Sequence, residues 1–313
     1  SRCPVCARNM KDYLCAIDIG SSLVRVLVGR SEEGRLDVLG VGCSPSRGVR
    51  AGAIVNIDAT VQALREAVRE AELMSGLVVE GASVNISGKH LRGDNSRGVV
   101  AITNRERIVT QADVLRVIEG AQNIRIPADQ EVIHVLSREF AVDDQSGVRD
   151  PVGMTGVRLE ADVHIVTAST TAIGNLEKAV TAAGIHIDEI VMSSLASASV
   201  ELSAGEKDLG VVLVDIGGGV VDVIVFLDGG VFYSAVLPLG GNHVTQDLSI
   251  GLKIPFDAAE MVKKTSGVAL ESLVDPIEKV ELPGTPGRPA RWILRQDIAY
   301  IVEPRMREIF ELV

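Results

Sequence analysis

Apolar and polar positions repeat one pattern at two places in the chain. From Leu209 to Phe226 the sequence LGVVLVDIGGGVVDVIVF runs apolar and β-branched to Asp215, breaks on glycines and resumes as a second β-branched run. This predicts a strand, a tight loop and a strand. Leu14 to Gly29 reads LCAIDIGSSLVRVLVG, and setting Asp18 on Asp215 aligns Gly20 with Gly217, Val24 with Val221, Val26 with Val223 and Val28 with Val225. One strand–turn–strand unit is carried twice.

Between and after the two units the periodicity alternates. Leu36 to Val41 reads as a strand, and Asp58 is placed as the cap of a helix with Val61, Leu64, Val68 and Ala71 on one face and Gly76 at its end. A strand, SVNIS, follows. Thr110 and Asp113 then form a capping box for a helix bearing Val114, Val117, Ile118, Ala121 and Ile124. Two strands, VIHVLSREFAV and VRLEADVHIVTA, flank a turn-rich DDQSGVRDPVGMTG, so residues 82–163 read as a small inserted β-α-β-β domain. Thr170 or Thr171 opens a helix closed by Gly184, and the strand HIDEIV leads into the small-residue helix MSSLASASVEL. Past the second unit come a strand VFYSAVLPLGG, a helix beginning near Asn242, a polar helix DAAEMVKKTSG, the loop ELPGTPGRPAR and a helix from about Gln296. The final RMREIFELV has no capping signal, so the helix is expected to be cut within an element.

The repeated loop is where chemistry is expected. Glycines let backbone N–H groups come close to phosphate oxygens. The carboxylates of Asp18 and Asp215 repel phosphate and need Mg²⁺ or water between them. Two such loops, one per half, would clamp a polyphosphate from both sides. The glycines Gly240 and Gly241 before Asn242 place further N–H groups at a helix start, where an anion is favoured.

Composition narrows the classes. The chain has 313 residues, enough for two compact domains, and is 46% hydrophobic with a formal net charge of −11. An acidic balance argues against a nucleic-acid partner, which demands a basic face. Asp215 and Asp222 interrupt the most apolar run, so no membrane-spanning helix is expected. The opening SRCPVCARNMKD lacks an apolar signal core, which points to a cytoplasmic, reducing setting with residues 1–11 as a disordered leader. Cys3 and Cys6 form CPVC without further ligands for zinc; Cys15 falls in a buried strand and Cys43 in a loop. Gly88-Lys89-His90 is not a Walker loop, Arg92-Gly93-Asp94 is a chance tripeptide, and His90, His134, His164, His186 and His243 lack the pairing of a helical metal site.

With these residues laid out, the chain resembles the FtsA family of bacterial actin-like cell-division proteins. AIDIGSSLVRVLVG and VVLVDIGGGVVDVIVF resemble the two phosphate loops of the wider superfamily. VNISGKH, HVLSREFAVDDQSGVRDPVGMTGVRLEADVH, SSLASASVEL and GRPARWILRQDIAYIVEPR resemble that family in particular. The resemblance implies an α/β, actin-like (ribonuclease H-like) two-domain ATPase fold with an inserted SHS2-type subdomain. Residues 12–81 and 164–198 would form subdomain 1A, 82–163 subdomain 1C, 199–251 and 300–313 subdomain 2A, and 252–299 subdomain 2B.

It further implies ATP and Mg²⁺ held by Asp18, Gly20, Ser21, Ser22, Asp215, Gly217, Gly218, Gly219, Gly240, Gly241 and Asn242, with Asp18 and Asp215 toward the metal and Glu260 and Lys263 toward the nucleoside. Expected partners are the FtsZ tail through 252–299, further copies of the chain, and other division proteins through 82–163. Membrane attachment at the cytoplasmic face is expected only through a C-terminal helix absent here. Three departures predict slow or absent hydrolysis with no catalytic residue: Val220 replaces the usual Thr, Leu23 a common Lys, and Ser194 or a neighbour stands where robust ATPases orient water. Alternatives are a small-molecule kinase of the same superfamily, a chaperone-like ATPase, or a pilus-type scaffold that ignores FtsZ.

Overall fold

The computed structural model describes residues 13–282, 284 and 289–313. Cys3, Cys6 and the leader lie outside them. Three main sheets organise the chain. The first has β1 (Leu14–Ile19), β2 (Leu23–Glu32), β3 (Arg35–Pro45), β6 (Gly81–Ile86) and β11 (His186–Met192) in the order β11-β6-β1-β2-β3; β4 (Val49–Arg50) and β5 (Ala53–Ile54) make a separate short ribbon. β1 and β2 are antiparallel, whereas β6 runs parallel to both β1 and β11. Helix α1 (Ile57–Ser75) covers β2 and β3 and packs beside α3 (Thr170–Ala183). Leu64, Ala67 and Ala71 of α1 and Val24, Val26 and Val28 of β2 are fully buried in one core.

The second sheet belongs to the insertion. It contains β7 (Leu91–Ala101), β8 (Gln130–Val142), β9 (Gln145–Val148) and β10 (Arg158–Ser169), ordered β7-β10-β8-β9, with α2 (Gln111–Ala121) on one face. Its own core holds Val114, Val117, Leu159, Ala161, Val163 and Ile165. The third sheet, β12-β13-β14, is built from β12 (Val211–Ile216), β13 (Val221–Leu227) and β14 (Gly230–Leu237); α4 (Ser193–Glu201) and α5 (Ala204–Leu209) precede it. Beyond it, α6 (Gly241–Leu252), α7 (Phe256–Ser266) and α8 (Arg295–Leu312) pack around Leu248, Val262 and Ile298, and β15 (Lys279–Leu282) pairs with β16 (Arg291–Leu294).

Several sequence expectations are corrected. Asn56, not Asp58, caps α1: its Oδ1 accepts from the Ala59 N–H at 3.0 Å, and Asp58 sits in the first turn, where its charge favours the helix dipole. The SVNIS strand is β6 and hydrogen-bonds inside the first sheet, so the insertion begins after it rather than at Ala82. The boundaries drawn at Val163 and Ala299 fall inside β10 and α8. Apolar periodicity marks elements but not which sheet a strand joins. Cys43 lies in β3 rather than a loop, and the turn-rich segment of the insertion contains β9. The Thr110–Asp113 capping box and the left-handed glycines at Gly76 and Gly184 are as expected. Among the described residues no helix is long and apolar enough to cross a membrane.

The contact of β3 with α1 depends on glycine. A Cβ on Gly42 would lie 1.8 Å from the Ala67 carbonyl oxygen and 2.7 Å from the Ala71 nitrogen, both rigid helix backbone. Gly42→Ala is expected to cost about 2 kcal/mol by forcing sheet and helix apart. Gly174→Ala in α3 meets nothing within 4 Å, and is expected to stabilise by up to ~1 kcal/mol through helix propensity. Urea unfolding of the two variants beside the parent checks both, and an unchanged midpoint for Gly42→Ala would contradict the packing argument.

Candidate functional site

The duplicated units form the same local structure. In the first, the Gly20 N–H donates to the Leu23 carbonyl at 3.0 Å; in the second, the Gly217 N–H donates to the Val220 carbonyl at 2.9 Å. Asp18 is the next-to-last residue of β1, opposite Arg25, and Asp215 the next-to-last of β12, opposite Asp222. The loops meet across a seam between the two halves. A Cβ on Gly218 would stand 2.0 Å from Ser22 Oγ, and one on Gly219 2.6 Å from Ser21 Oγ. The Ser22 hydroxyl donates to Asn242 Oδ1 at 3.2 Å, and Ser21 Oγ accepts from the Gly52 N–H at 3.0 Å.

The start of α6 is fastened to the same loop. The N–H groups of Gly241 and Asn242 donate to the carbonyls of Gly217 and Gly218 at 2.9 and 2.7 Å, and the Gly240 N–H donates to His243 Nδ1. The sequence reading had these helix-start donors facing an anion. In the structure the loop's own carbonyls take them, because Gly240 has no side chain to hold the two backbones apart: a Cβ there would stand 2.5 Å from the Gly217 carbonyl oxygen. Glu260 and Lys263 stand close by. Lys263 Nζ is 2.6 Å from Glu260 Oε2, and it donates to the Gly241 carbonyl at 3.0 Å and to Thr245 Oγ1 at 2.8 Å.

Sequence reasoning missed four polar residues around the aspartates. Asn85 Nδ2 donates to Asp18 Oδ1 at 2.7 Å and to Ser193 Oγ at 3.0 Å, while its Oδ1 accepts from the Ile19 N–H at 2.6 Å. Ser197 Oγ donates to Asp215 Oδ2 at 2.9 Å. Ser87 Oγ lies 2.7 and 2.8 Å from the two carboxylate oxygens of Asp222, although one hydroxyl proton serves only one of them at a time. An Asn between Val84 and Ile86 in SVNIS was the available signal. Ser194, by contrast, is fully buried with an Oγ that has no partner. Of its neighbours, Ser197 bonds Asp215 directly and Ser193 meets Asn85, which in turn holds Asp18.

Charge is crowded here. Burial pushes the Asp18 carboxyl above its ordinary range; Arg25, 3.0 Å away, opposes that and the charge of Asp215 adds to it. Asp222, 3% exposed, is pushed up to about 7, first by burial, with Ser87 opposing and Asp215 and Asp18 adding. Such mutual strain is what a cation relieves. Among the described residues no three His, Cys, Asp or Glu side chains hold an ion by themselves. A Mg²⁺ ion fits only with water and a ligand's oxygens completing its shell, which is its usual habit.

Two hairpins with apposed glycine turns, in halves joined along a seam, define the actin-like class. Solved structures agree: the chain aligns with a PilM-PilN type IV pilus biogenesis complex at TM-score 0.65 and 15% identity, over 96% of this chain and 74% of that one. It aligns with MreB5 of Spiroplasma citri bound to ADP at TM-score 0.52 and 12% identity, over 97% and 78%. Within that class, the model of the SHS2 domain inserted in FtsA matches residues 88–167 and that of cell division protein FtsA matches 212–311. Cell division protein FtsA of Pseudomonas aeruginosa is 45% identical over 301 residues, 96% of this chain and 72% of that protein. Those of Escherichia coli and Bacillus subtilis are 38% and 39% identical over 97% of this chain and 72% and 69% of theirs. The chain belongs to the FtsA family of cell division proteins.

The pH dependence of stability follows from Asp222. Its folded-state pKa of about 7 lies above the ordinary carboxylate value near 3.8. The folded protein therefore binds the extra proton between these limits, and stability falls as pH rises through that window and levels off above it. The loss is on the order of a few kcal/mol. Asp222→Asn is expected to flatten this fall, read as urea midpoints at pH 5 and pH 8. Parallel profiles for variant and parent would mean that the carboxylate is ionised throughout.

Proposed function

We propose that the chain binds ATP with Mg²⁺ between its two halves and serves division as a nucleotide-clamped scaffold. The observation that carries this reading is the apposition of the Asp18 and Asp215 hairpins across one seam. Gly20, Ser21, Ser22, Gly217, Gly218 and Gly219 face the phosphates, with Gly240, Gly241 and Asn242 beside them, Asp18 and Asp215 hold the ion through water, and Glu260 and Lys263 lie toward the nucleoside. Because the loops already touch through Gly218 and Ser22, a polyphosphate has to part them. Ligand affinity then differs between closed and parted forms, which is the requirement for a ligand-controlled shape change.

Hydrolysis is slow in this reading. The carboxylates nearest the loops are engaged with Asn85, Arg25, Ser197 and Ser87, and Ser193 and Ser197 offer no base strong enough to activate water. The chain polymerises with further copies, meets the FtsZ tail through residues 252–299 and other division proteins through 82–163, and works at the cytoplasmic face of the membrane in the context of the whole protein.

Calorimetric titration with ATP tests the core of this. Asp215→Asn is expected to weaken binding at least about tenfold in Mg²⁺, ~1.4 kcal/mol, and to abolish the difference between Mg²⁺ and EDTA. Equal affinities for variant and parent would sink the assignment of the ion. Capture of the chain by an immobilised FtsZ tail separates the division scaffold from a pilus-type relative, which would ignore it.

A further inference from the structure

A second polar site lies away from the glycine loops, where the insertion leans on the second half. A cavity of about 290 Å³ opens there, lined by Arg138 of β8, Arg149 after β9, Lys207 and Asp208 of α5, and Asp228 and Gly229 of the β13–β14 turn. Glycine permits the approach: a Cβ on Gly230 would stand 2.7 Å from the Arg138 Cα, and one on Gly229 2.8 Å from Asp208 Oδ1.

The charges lining this cavity do not balance. Arg149 pairs with Asp208 at 2.6 Å, but neither Arg138 nor Lys207 forms an ion pair among the described residues. Each lies over an aromatic ring instead. The Arg138 guanidinium carbon is 4.8 Å from the centre of Phe232, and Lys207 Nζ is 5.1 Å from that of Phe226. Arg138 Nε is buried and has no hydrogen-bond partner.

A buried donor on a full charge without an acceptor is costly, and a ring face returns only part of that cost. Asp228 shares the cavity, yet cations still outnumber carboxylates along its wall, in a chain whose net charge is −11. The missing component is an acceptor with negative charge. A guanidinium presents a planar fork of donors suited to a carboxylate or a phosphate, and an ammonium adds a second point of attraction.

We propose that this cavity is an oxyanion site for the phosphate or carboxylate group of a small ligand, with Arg138 as its principal donor and Lys207 as its second cation. A bound oxyanion would tie β8 of the insertion to α5 of the second half. It would act independently of nucleotide, because none of the glycine-loop residues lines the cavity.

Calorimetry of the full chain at low ionic strength, with inorganic phosphate in one arm and succinate in the other, tests this and identifies the group. At least one anion is expected to bind with a dissociation constant below about 10 mM. Binding should weaken about tenfold or more in Arg138→Gln and several-fold in Lys207→Gln, be partly restored in Arg138→Lys, and be unmoved in Asp215→Asn. Circular dichroism establishes that each variant is folded, and Lys207→Gln alone decides the matter if Arg138→Gln does not fold. Two results would overturn the proposal: no binding of either anion in that range, or binding that Lys207→Gln leaves intact while Asp215→Asn changes it.

Discussion

The seam between the two halves turns on the space at Gly218. Its α-carbon faces the Ser22 side chain so tightly that a methyl group would fall 2.0 Å from the hydroxyl oxygen, and the carbonyls beside it accept the first N–H groups of α6. One loop therefore binds the first hairpin on one side and the helix start on the other. A side chain at Gly218 would have to displace the Ser22 hydroxyl, and with it the Ser22 bond to Asn242 that crosses the seam. The rest of the seam follows from this closeness. Asp18, Asp215 and Asp222 are brought near enough that the charge of Asp215 helps raise the pKa of Asp18, and the charges of Asp215 and Asp18 help raise that of Asp222.

The two hairpins are copies in backbone but not in charge. The position seven residues beyond each loop aspartate lies directly across the strand pair from it, and there the first hairpin has Arg25 and the second Asp222. The first aspartate is thus neutralised within its own hairpin, at 3.0 Å. The second is opposed by a like charge, an arrangement that destabilises a strand pair. What keeps it is the seam: Ser87, at the end of β6 in the other half, is the hydrogen-bond donor to Asp222. The asymmetry makes the second hairpin depend on the first half for its polar satisfaction, so closure of the seam and the protonation of Asp222 are linked.

Much of this was legible in the sequence because it rests on local rules. Alternation of apolar residues located β1, β2, β12 and β13, the Asp-to-Asp alignment located both turns, and the Thr110 box and the Gly76 and Gly184 stops follow from capping chemistry alone. The Arg25–Asp222 exchange was also visible in that alignment, but its meaning needed the strand register. What stayed hidden depends on partners distant in sequence. Asn85 reads as an ordinary strand residue until β6 is seen beside β1, where it reaches Asp18 across 67 positions of sequence. Likewise, no pattern announces that the N–H groups after Gly240 are consumed by the carbonyls of Gly217 and Gly218.

The position of the insertion limits how the seam can open. Both of its chain connections are to the first half, after β6 and into α3, whereas its β7 and β8 rest on β14 of the second. That footing is specific: Asn95 Nδ2 donates to the Phe232 carbonyl at 2.9 Å, and His164, 1% exposed, bridges Asn95 Oδ1 and Ser234 Oγ at 2.7 and 2.8 Å. Burial, helped by the charge of Arg138, lowers the His164 pKa to about 4, so at neutral pH the ring is uncharged and accepts from one neighbour while donating to the other. A rigid parting of the two halves would have to break this buried bridge, leaving polar groups unsatisfied. Opening that spares it must instead bend the short connections around Ser87 to Leu91 and at Ser169, carrying the insertion with the second half. Ser87 then sits at both places where movement is decided, as the donor to Asp222 and as the last residue before the insertion departs.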